Sequence, residues 1–159
     1  MAKLTVEGLG IFSDQLNKLR DEIHKINRGA LGEAAGYVAD EIGSALESMP
    51  VRPDGSSEHR LFGATASEKA QIIDNFGIAK FHDTVGGCDT SVGFTGYVET
   101  PSKRFNNQVP TGMLMQCINY GTEFRQGTHT VDHAIKGVRA KVEKTVQNYI
   151  DDKTKEIIS

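Results

Sequence analysis

The chain has 159 residues, of which 38% are apolar and 25% charged; this suits one domain with its own core and is too apolar for a disordered chain. A net charge of −3 and a pI of about 5.9 speak against a broad basic surface for reading duplex DNA, leaving only local basic patches. No run approaches 18 apolar residues and MAKLTVEGLG lacks the apolar core of a secretion signal, so neither a membrane span nor a leader is expected.

Leu4 and Val6 alternate with polar residues and predict a short strand or extended arm, broken by Gly10. Ser13 then reads as the N-cap of a helix whose face carries Phe12, Leu16, Leu19, Ile23 and Ile26 at steps of three and four. Gly29 and Gly32 mark either a helix–helix turn or a dent in one long helix. The apolar series resumes through Ala34, Ala35, Val38, Ile42 and Leu46 and stops at Pro50 and Pro53.

Residues 51–64 are polar and aperiodic and read as an exposed loop. Thr65 with Glu68 is a capping-box pattern, opening a short helix from Ala66 to about Asn75, with Gly77 as its C′ residue. Two strands, about 79–84 and 89–94, are expected around the Gly86-Gly87 turn. Residues 98–109 read as a second long loop. Pro110 then opens a short helix that buries Met113, Leu114, Cys117 and Ile118 and closes at Gly121.

Thr128 or Thr130 should cap the last helix, whose face runs Val131, Ile135, Val138, Val142, Val146, Ile150. The tail DDKTKEIIS is expected to fray. There is no internal repeat or linker, so residues 1–159 form one domain of α+β class. Its helices should lie on one face of a small antiparallel sheet, with long loops and a long C-terminal helix.

Chemistry has few footholds. Cys88 and Cys117, 29 positions apart, form neither a zinc spacing nor a disulfide framework and are expected as free thiols. His129 and His133 share one helix face at metal-ligand spacing, but no third ligand or HExxH acid accompanies them. His82 with Cys88 lacks a third group to orient the imidazole. The glycines at 86, 87, 93 and 96 follow no phosphate-loop pattern and serve turns. No catalytic residue, metal or cofactor is expected. Arg52, Arg60, Lys103, Arg104 and Arg125 lie in expected loops, either as solvated charges or as basic tips toward DNA or an acidic partner.

Several blocks, in order, resemble the neck and tail-completion proteins of long-tailed, lambda-like phages, the "gene product ten" type. They are VEGL at 6–9 before a helix pair, the small residues Ala34, Ala35 and Val38, and EKAQIIDNFGI at 68–78. SVGFTGY at 91–97 and YGTEFRQ at 120–126, before the C-terminal helix, complete the set. The resemblance covers nearly the whole chain, and its weight lies in order and spacing. It implies a virion structural protein at the head–tail junction, present in the host cytoplasm during assembly, with no enzymatic activity. It also implies a self-associated ring of six-fold or twelve-fold symmetry, with DNA passing through its lumen without sequence-specific binding. The ring would join the head connector to the tail terminator, with no membrane contact. Candidate contact residues are Arg52, Arg60, Lys103, Arg104, Phe124, Arg125 and His129. Outside that resemblance, a nucleic-acid-binding accessory protein and a small metal-dependent hydrolase using His129 and His133 stand as the other readings.

Overall fold

A computed structural model of the protein describes residues 9–53, 61–84 and 87–158. The expected strand at Leu4 and Val6 lies outside those residues, as does Arg60.

The first element is one helix, α1, Leu9–Glu47. Ser13 is therefore inside it rather than at its N-cap, and Gly10 does not interrupt it. No proline falls between Leu9 and Glu47, so nothing removes a helical hydrogen bond there. Of the two readings of Gly29 and Gly32, the structure takes the single long helix and gives the dent a purpose. A β-carbon on Gly29 would collide with the Tyr149 ring, and one on Gly32 would meet the Phe81 ring at 3.6 Å. The notch lets α4, Thr130–Ile158, lie close against α1.

The two helices run antiparallel. Gln15 Nε2 donates to the Ile158 carbonyl at 2.6 Å at one end. Lys141 lies 3.9 Å from Glu41 and over the Tyr37 ring toward the other. Along these two helices Ile26, Ala30, Ala34, Ala35 and Val138 are buried. The tail expected to fray is the last turns of α4, held by this packing.

The capping box forms as expected: Thr65 Oγ1 accepts from Glu68 N, and Glu68 Oε2 accepts from Thr65 N. It opens α2, Ala66–Asp74. Asn75 is the C-cap, and the chain goes straight into a strand, so Gly77 is not a cap residue.

The strands come as two-stranded pairs. β1, Leu61–Phe62, pairs parallel with β8, Arg125–Gln126. β2, Phe76–Ile78, pairs antiparallel with β5, Val92–Phe94. β3, His82–Thr84, pairs with β4, Gly87–Asp89. β6, Tyr97–Glu99, pairs with β7, Gln108–Pro110. The expected pair at 79–84 and 89–94 is thus split: its outer part, 92–94, goes to β2 instead. The expected loop 98–109 is largely a hairpin, because Val98 and Val109 face each other and are both buried. The loop expected at 51–64 likewise carries β1 and a bridge from Val51 to Ala64.

α3, Thr111–Tyr120, follows β7 with Pro110 as its N-cap. Leu114 and Ile118 are buried as expected and Cys117 partly so. Met113 is exposed and Met115 takes its inward place. The main core gathers the end of α1 with α2, β6, β7 and α3, through Ile42, Leu46, Met49, Ile72, Val98 and Ile118. Phe76 and Phe94 pack against it with ring centroids 5.2 Å apart.

Candidate interaction surface

The basic residues divide into an internal cluster and an exposed tip. Arg125 is buried, its Nη1 donating to the Gly63 carbonyl at 2.7 Å. Arg52 approaches Glu68 at 3.5 Å, with the Glu68 side chain only 3% exposed. Glu68 also accepts from Thr65 N at 2.9 Å and from Thr100 Oγ1 at 2.6 Å. Burial presses the Arg125 guanidinium below its usual pKa; the Glu68 carboxylate opposes this and the Arg52 cation adds to it. Arg52 and Arg125 are therefore brought together around one carboxylate as an internal tie. They are not basic loop tips, which corrects the expectation for both. Neither position carries a sequence signal of burial; the capping box at Glu68 was the nearest clue.

Lys103 and Arg104 are exposed, on the turn of the β6–β7 hairpin. That turn is fastened: Asn107 N donates to Ser102 O at 3.0 Å, Ser102 N to Asn107 Oδ1 at 3.0 Å, and Gln108 N to Phe105 O at 2.9 Å. Asn106 and Asn107 take positive φ, which asparagine tolerates better than most residues. The Arg104 guanidinium lies 5.3 Å over the Phe105 ring.

The segment 121–129 presents the most exposed phenylalanine or tyrosine among the described residues, Phe124 at 69%. Its backbone is held from several sides. Thr122 N donates to Arg125 O at 2.7 Å, Phe124 N to Thr122 Oγ1 at 3.3 Å, and Leu61 N to Phe124 O at 2.9 Å. Gly121, at φ +84°, turns the chain so closely that a β-carbon would stand 2.8 Å from Arg125 O. Arg125 points inward from this loop and Phe124 outward, so one residue anchors and the next is displayed.

The start of α4 is capped from outside. Asn119 Oδ1 accepts from Val131 N at 3.0 Å, and its Nδ2 donates to Asp132 Oδ1 at 3.1 Å. Thr130 Oγ1 instead donates to Thr128 Oγ1. Tyr120 Oη also reaches Asp132 Oδ1, at 3.0 Å. Partial burial acts to raise the Asp132 pKa, but hydrogen bonds from Asn119 and Tyr120, the neighbouring His129 side chain and the Lys136 charge bring it below its usual value. The same bond raises the Tyr120 pKa, with the Asp132 charge adding to it. His129, exposed and at φ +53°, lies 3.7 Å from Asp132, and its ring centroid is 6.2 Å from that of His133. Among the described residues no group of three or more His, Cys, Asp or Glu is arranged to hold a metal ion. His82 and Cys88 occupy successive rungs of the β3–β4 ladder, His82 facing Asp89 and Cys88 facing Asp83.

α1 carries a further surface. Phe12, Leu16 and Ile23 are 56%, 49% and 46% exposed, although they continue the face that buries Ile26 and Ala30. Among the described residues no helix is long and apolar enough to cross a membrane. No family model, curated protein or solved structure matches the chain.

Proposed function

We propose that the protein is a structural component of a phage particle, acting by binding at the head–tail junction as a neck or tail-completion subunit. The observation that carries this reading is the rigid display of Phe124. An aromatic ring held 69% exposed by a fastened backbone is the kind of group that fills a partner's pocket. Lys103 and Arg104 on their hairpin turn supply a local basic tip in an otherwise acidic chain, suited to an acidic neighbour or to DNA passing without base readout. Copies would meet through a heterologous contact that closes into a ring of six-fold or twelve-fold symmetry, between head connector and tail terminator. Arg52 and Arg125 hold the display surface together from within.

The test is electron microscopy of particles made without this gene and complemented by variants. Loss of the gene should leave filled heads and separate tails, and wild type should restore joining. Phe124→Asp should fold normally and fail to restore it; normal particles without the gene would refute the junction role. Removing 98–109 would not be informative, because Val98 and Val109 belong to the core. Substituting Lys103 and Arg104 by Glu tests the basic tip without touching it.

A further inference from the structure

Along α1 the residues Phe12, Leu16, Leu19, Ile23, Ile26 and Ala30 recur at alternating steps of four and three. That is the heptad seam of a coiled coil, which keeps a partner helix in register turn after turn. α4 buries Ile26 and Ala30 and half-covers Leu19, leaving Phe12, Leu16 and Ile23 open. Asp14 and Asp21 fall on the opposite side of the helix by the same periodicity. Arg20 borders the seam on its open edge, along with Ser13 and Asn27; Glu22, 2.8 Å from Lys25, borders it on the other edge beside Gln15.

We propose that a second copy of this chain docks on this seam, α1 against α1 and antiparallel. The open stretch reads the same in both directions: steps of four, three and four from Phe12 to Ile23. An antiparallel copy therefore sets Phe12 opposite Ile23 and Leu16 opposite Leu19, with Arg20 beside Ser13 rather than beside a like charge. The area is sufficient. At the stated exposures the three side chains leave roughly 300 Å² of apolar surface per copy. Two copies give about 600 Å², and at the usual apolar share of 56–58% this corresponds to an interface of about 1,000 Å². That is the lower bound for specific association, so the dimer is reversible and weak. The contact is two-fold and closes at two copies. It does not rest on the junction reading and its failure would leave that reading intact.

Sedimentation of the full chain from about 1 µM to about 500 µM should show a monomer–dimer equilibrium with Kd on the order of 10 µM. Leu16→Lys should keep the helical content and weaken the dimer at least about tenfold. The orientation is read by cross-linking in a Cys88→Ser/Cys117→Ser background. Leu16→Cys and Leu19→Cys proteins, mixed and oxidised, should give mainly the mixed covalent dimer. A monomer throughout, as expected if a different virion protein covers the seam, would overturn the proposal. So would assembly beyond two copies that Leu16→Lys abolishes, a dimer indifferent to Leu16→Lys, or a preference for Leu16→Cys homodimers.

Discussion

Glu68→Gln tests the internal tie with little change of shape. The wild-type carboxylate is 3% exposed, lies 3.5 Å from Arg52 and accepts from Thr65 N and Thr100 Oγ1. Glutamine keeps one carbonyl for Thr65 N but turns an NH2 group toward donors. It also leaves the Arg52 and Arg125 cations without their counter-charge in a site where Arg125 is 8% exposed. Removing one partner of a buried pair costs about 3–5 kcal/mol, and the retained cap bond and the partial exposure of Arg52 bring the expectation to about 3 kcal/mol. Against a total stability on the order of 10 kcal/mol, that lowers the urea midpoint by about 1–2 M. Glu143→Gln, whose partner Arg139 is exposed, should stay within about 0.5 kcal/mol of wild type. Adding Arg52→Met to Glu68→Gln should recover part of the loss, about 1 kcal/mol or more, because an unpaired charge is removed. If Glu68→Gln matches Glu143→Gln in urea, the tie is not a source of stability and the reasoning fails.

Two further outcomes concern the start of α4. Asn119→Ala should lower stability by about 1–3 kcal/mol in chemical unfolding, since it removes the cap of Val131 N and a bond to Asp132 from a side chain 3% exposed. An effect below about 0.5 kcal/mol would mean that Thr128 and Thr130 cap the helix after all. Asp132 has a depressed pKa in the folded chain, so its contribution is present above about pH 4, the ordinary carboxylate value, and fades as pH falls through the lower folded value. Asp132→Asn should therefore be less stable than wild type at neutral pH, and the gap should narrow toward pH 2. A gap that does not change with pH would contradict the assignment of Asp132 as a charged acceptor.

The parts of the fold written in local pattern were legible in the chain. The Thr65–Glu68 box, the small residues of α1 and the α4 stripe each depend on neighbours three or four positions away, although within that stripe Ile135 is exposed and Ala134 packs on the core instead. What stayed hidden depends on distant ones. The Gly86-Gly87 signal marks the inner hairpin, but nothing local tells that 92–94 pairs with 76–78 beyond it. The hairpin of β6 and β7 looked like a loop because one buried valine in each strand is too short a pattern to read. The Tyr149 ring explains Gly29, and the Pro50 carbonyl against Gly63, at φ +73°, explains that glycine; each partner comes from another segment. Of the candidate contact residues, Phe124, Lys103 and Arg104 are exposed, as their loop positions imply. Arg52 and Arg125 were assigned to the outside because their burial follows from a carboxylate and a carbonyl that only folding brings near.

The antiparallel union of α1 with α4 has a consequence for synthesis in the cell. α1 leaves the ribosome long before the helix that covers it. The 82 residues between Glu47 and Thr130 take roughly 4–16 s to translate. For that time Ile26 and Ala30 lack the α4 residues that cover them, with only residues such as Phe81 and Cys88 emerging beside α1, and a thinly covered helix is marginal in water. The nascent chain is thus a transient client for holding chaperones until α4 emerges. Slow codons placed between the two helices should lower soluble yield more than the same codons placed after α4.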